Sequence, residues 1–86
     1  MLKGKTTLQM TSAPEGSIYV WHTTDTTYAT LLAVKLGRQD LKLVSPRWLM
    51  YFQFLTEKYP AIIVDHGLVL SETEMELLHK AKENIP

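Results

Sequence analysis

The spacing of hydrophobic and polar positions changes several times along the chain, and each change marks an element. In TTLQMT at 6–11, Leu8 and Met10 alternate with polar neighbours, a period of two that predicts a strand exposed on one face. APEG at 13–16 predicts a turn, with Pro14 presetting φ and Gly16 free to take a left-handed backbone. SIYVWH at 17–22 is apolar on both faces, as a central strand is. A hairpin through the turn would place the strand at Leu8 and Met10 antiparallel on the edge of the sheet.

From there the spacing alternates between helix and strand. Ala29, Leu32, Ala33 and Leu36 fall on one face of a helix over 26–36, with Asp25 as N-cap and Gly37 just past the end. LKLV at 41–44 is a short strand. Ser45 and Pro46 open a second helix, which carries RWLMYFQFLTEKY and stops before Pro60. AIIVD at 61–65 is a β-branched run suited to a strand covered on both faces. SETE at 71–74 is a capping box, and Leu77, Leu78 and Ala81 give the third helix its buried stripe. The order β-β-α-β-α-β-α implies parallel strands joined by right-handed crossovers. The expected fold is a small Rossmann-like α/β domain, mostly parallel with one antiparallel edge strand.

Composition narrows the function. The 86 residues make one domain over 1–86, with 1–5 expected to be flexible. The chain has no cysteine, so neither a disulfide nor a thiolate metal site supports the core. No apolar run reaches the roughly 18 residues of a membrane span, and the N-terminus lacks an apolar signal-like stretch. A soluble, cytoplasmic protein without a membrane partner is the expectation. Net charge is zero, which removes the simplest argument for nucleic-acid binding. Lys3, Lys5, Lys35, Arg38, Lys42 and Arg47 weight the first half, and Glu72, Glu74 and Glu76 the end. A solvated surface with an acidic first helical turn explains that asymmetry.

In a parallel sheet, ligands bind beyond the carboxyl ends of the strands. HTTD at 22–25, SPR at 45–47 and DHG at 65–67 form those ends, so His22, Asp25, Arg47, Asp65 and His66 are expected along one rim. The first of these segments loosely resembles a P-loop region, with Thr26 and Thr27 near the usual hydroxyl, and AIIVD is similar to a Walker B strand. The resemblance fails at its chemistry. No glycine lies between Ile18 and Gly37, Lys35 sits too far along the helix, and Asp25 places a carboxylate where a phosphate belongs. No nucleophile elbow or metal spacing accompanies the rim, so no catalytic residue, cofactor or metal is assigned.

The second helix carries the other candidate. Trp48, Tyr51, Phe52, Leu55 and Tyr59 form one apolar stripe, while Leu49, Met50 and Phe54 lie outside it. A helix on a small sheet buries one stripe only. Met50, Tyr51 and Phe54 are therefore candidates for an interface with a second copy or another protein. Two functions remain: a small non-catalytic accessory protein acting through that surface, or a ligand-binding or catalytic domain using the rim. Small single-domain accessory proteins of this form are common in phages and mobile elements, although no residue ties the chain to that origin.

Overall fold

A computed structural model describes residues 2–50 and 59–83. Three strands, β1 (Ile18–Val20), β2 (Lys42–Val44) and β3 (Ile62–Val64), form one sheet in the order β2-β1-β3. All pairings are parallel, with Tyr19 opposite Leu43 on one side and Ile63 on the other. β1 is central and buried throughout, as its unbroken apolar run implies. The described residues also form three helices: α1 (Leu2–Ser12), α2 (Thr27–Lys35) and α3 (Glu72–Glu83). A 3-10 turn spans Pro46–Met50. No described helix is long and apolar enough to cross a membrane.

The side chains of β1 alternate between two cores. Tyr19 and Trp21 pack with Met10 and Ala13 of the α1 segment and with Ala29 and Ala33 of α2. Ile18 and Val20 pack on the opposite face with Leu49 of the 3-10 turn and Ala81 of α3. The α2 connection out of β1 and the 3-10 turn that begins the connection out of β2 thus lie on opposite faces, and β2 and β3 lie on opposite sides of β1. That is what two crossovers of the same hand require.

The expected antiparallel edge strand is not formed: residues 2–12 are helical, and among the described residues the sheet has three strands, not four. Leu8 is exposed and Met10 fully buried, so they do not share a face. The buried positions are Thr6, Met10 and Ala13, spaced by four and three as a helix face demands. The segment has too few apolar residues for propensity to decide its state, and packing decides it. Thr11 turns its hydroxyl back onto the Thr7 and Leu8 carbonyls, at 2.9 and 3.1 Å, as helical threonines do.

The remaining ends follow their local chemistry. Gly37, at φ +70°, closes α2: its N–H reaches the Val34 carbonyl at 3.0 Å and the Arg38 N–H reaches Ala33 at 2.7 Å, the paired bonds of a Schellman cap. The N-cap position of α2 is Thr26, one residue later than expected. Asp25 still accepts the Thr27 N–H at 3.0 Å. The capping box of α3 forms in both directions, from Glu74 N–H to Ser71 Oγ at 3.2 Å and from Ser71 N–H to Glu74 Oε1 at 2.9 Å.

The expected second helix is described only as the 3-10 turn. Its Leu49, placed outside the buried stripe by the heptad-like spacing, is fully buried and Met50 is 56% exposed. The tighter turn rotates successive residues by about 120° in place of 100°, which brings Leu49 inward toward Leu77 and Leu78. Tyr51, Phe52, Phe54 and Leu55 lie outside the described residues.

One residue ties α1, α2 and the intervening turn together. Arg38 donates to the carbonyls of Met10, Thr11 and Pro14 and forks onto Asp40 at 3.0 and 2.9 Å. It supplies donors to a helix end that has no basic residue in its own last turn. Asp40 also accepts the Gly16 N–H at 2.8 Å. These bonds, Arg38 first, hold the Asp40 carboxyl well below the ordinary value of 3.8. A carboxyl whose folded pKa is depressed stabilises the fold above its unfolded pKa, and that stability drains away as pH falls below it. Urea midpoints of the wild type should therefore fall as pH drops below about 4, and Asp40→Asn should fall less steeply. Equal slopes for the two proteins would exclude this source of acid sensitivity.

Candidate functional site

The carboxyl end of β3 carries a polar network that α1 completes. Asp65 is 3% exposed, because its main chain continues the ladder by donating to the Val20 carbonyl at 3.0 Å. Its Oδ1 accepts from the Tyr19 hydroxyl at 2.6 Å and from Thr6 Oγ1 at 3.0 Å. Its Oδ2 accepts the Gly67 N–H at 3.1 Å. Gln9 bridges the same region, donating to the Val64 carbonyl at 3.0 Å and accepting the His66 N–H at 2.9 Å. The His66 ring places Nε2 3.1 Å from Thr6 Oγ1. Thr6 has a single hydroxyl hydrogen and gives it to Asp65, so His66 Nε2 carries the hydrogen of that contact.

The electrostatics favour structure over chemistry. Burial, then the hydrogen bond and charge of Asp65, push the Tyr19 phenol far above its ordinary value. Tyr19 is thereby kept as a donor. No buried side-chain nitrogen or oxygen among the described residues lacks a partner. The Asp65 carboxylate is thereby committed to holding buried donors. The network bolts α1 to the end of the sheet.

The expected rim is accordingly divided. Asp65 and His66 share the network. His22 is exposed and its ring lies 4.4 Å from that of Trp21. Asp25 is exposed and engaged in capping α2. Arg47 is exposed on the 3-10 turn. Among the described residues no hydrogen bond or ion pair joins these three to Asp65 or His66, and no cluster of His, Asp and Glu is placed to hold a metal ion. Tyr19 joins the network from the expected central strand, and Thr6 and Gln9 are members that the strand reading of the N-terminus conceals. Their signal was the helical spacing of Thr6, Gln9, Met10 and Ala13.

A groove runs along the outer edge of β3. Its volume is about 540 Å³, and its lining includes Gln9, Ile62, Val64, Val69, Met75 and Lys82. Leu68, Leu70 and Leu78 complete an apolar wall. Val69 is 90% exposed and Met75 54%. These two apolar side chains stand in water beside the edge of the sheet, as Tyr28, Leu31 and Val34 do on α2.

Comparison with known protein families, with curated proteins and with solved structures finds no match for the chain.

Proposed function

We propose that this chain is a small non-catalytic accessory protein that acts by holding another protein in the groove beside β3. The observation that carries the proposal is the groove itself, an open, largely apolar depression with Val69 and Met75 exposed at its rim. Interfaces gather exposed apolar and methionine side chains in this way. The engagement of Asp65 and Asp25 in local structure supports the non-catalytic half. The sheet order, with helices on both faces, supports a Rossmann-like classification of the core. In this reading the protein works in the cytoplasm, a setting open to a cysteine-free chain.

Incorporation of a photoreactive residue at Val69 tests the proposal in cells. Cross-links to a partner are expected, and Met75→Glu should abolish them by placing a charge on the apolar wall. Abolition by Met50→Glu, with Met75→Glu silent, would move the interface to the surface begun by Met50. A wild type that forms no cross-link would refute the proposal.

A further inference from the structure

The main chain of β3 says what shape of partner fits the groove. In a parallel ladder each residue turns its N–H and C=O to the same side, and successive residues alternate. The Ala61 carbonyl accepts from Ile18 and the Asp65 N–H donates to Val20, both at 3.0 Å. Residues 61, 63 and 65 therefore face β1, and Ile62 and Val64 face outward. Gln9 donates to the Val64 carbonyl from outside, in agreement with that parity. The Ile62 N–H and C=O and the Val64 N–H have no partner among the described residues. Ile62 and Val64, with Ile63, are among the residues that line the groove.

The opposite edge of the sheet is guarded. β2 exposes Lys42, and the Arg38–Asp40 ion pair precedes it. Charged side chains at an edge deter pairing with another chain. β3 consists of Ile62, Ile63 and Val64, none of which is charged.

We propose that β3 takes up an extended, apolar segment of a partner protein as an added strand, and that a carboxylate on this segment meets Lys82. The inference rests on the reading of the groove as a protein-binding site. Main-chain pairing supplies affinity, and the walls read alternate side chains of the guest. Gln9 on one side and Leu78 and Met75 on the other flank the edge. A second copy presenting the same edge would bring the same walls with it, whereas a single strand passes between them. Among the described residues Lys82 is the only charged one lining the groove, so complementarity selects an acid. An aspartate or glutamate side chain and a chain-terminal carboxylate share that chemistry.

Panning a displayed library of random eight-residue peptides against the whole protein provides the test, with binders resynthesised for titration by NMR. Enriched peptides should alternate apolar residues and carry one acidic group. Their binding should slow amide exchange at Ile62 and Val64 by ten-fold or more. N-methylation of alternate peptide amides should abolish binding, because it removes the ladder donors. Replacing the acid by its amide should weaken binding about two- to five-fold, the range for an exposed ion pair. In the Lys82→Met protein that difference should vanish. Peptides bearing a blocked or a free terminus separate the two sources of carboxylate. Binding indifferent to N-methylation, or no enriched peptide at all, would overturn the strand. Indifference to the acid would overturn the role of Lys82. Cross-links from Val69 that persist beside either failure would leave the protein-binding reading standing and remove only the added strand or its acid.

Discussion

Asp65→Ala should lower stability by about 2–5 kcal/mol and release α1 from the sheet. The substitution removes the acceptor of two buried hydroxyls, Tyr19 at 2.6 Å and Thr6 at 3.0 Å. Each orphaned donor costs about 1–3 kcal/mol, and for Tyr19 only Gln9 Oε1, a long 3.5 Å away, remains as an acceptor. The Gly67 N–H loses its acceptor as well, although that turn is open to solvent. Tyr19→Phe should cost less, since Asp65 retains Thr6 and Gly67. Urea denaturation of the variants gives the ranking, and hydrogen exchange across residues 6–12 reports whether α1 has come loose. An Asp65→Ala protein as stable as the wild type would show that the network does not hold the helix, and would return Asp65 to the list of functional candidates.

This network also shows where sequence and fold part company. The strand-end position of Asp65 follows from AIIVD and the parallel topology, and the structure places it there. Its partners come from α1 and from the middle of β1, and no local pattern encodes a contact between residues 59 positions apart. The N-terminus misleads for a related reason. Its threonines favour neither state strongly, and Leu8 and Met10 suggest a period of two, while the deciding contacts of Met10 are made by β1 and α2. Where a local device fixes an element, the sequence is legible: Gly37 at the end of α2, the SETE box before α3, the β-branched run of β3. The groove was beyond reach, since an edge strand and a central one can share the same apolar run. Strand order alone makes β3 an edge.

Leu49→Ala is the other substitution with a large expected effect, about 2–5 kcal/mol. Leu49 is fully buried among Ile18, Val20, Val44 and Ala81, in the core between the sheet and α3. Removing its isobutyl group forfeits the transfer energy of that group and leaves a void that a 3-10 turn anchored by Pro46 and a rigid sheet cannot close. A domain this small has a thin margin, and each kcal/mol shifts its midpoint by roughly 4–8 °C. A fall of roughly 8 °C or more is therefore expected on a calorimetric scan. Met50→Ala, one residue along but 56% exposed, should move the midpoint far less. Comparable losses at the two positions would mean that the chain continues from Val44 as the wider α-helix the spacing suggested, with its buried stripe shared between both residues. A large loss at Leu49 alone would establish that the tighter turn, by rotating Leu49 under α3, sets which side chains this surface leaves in water.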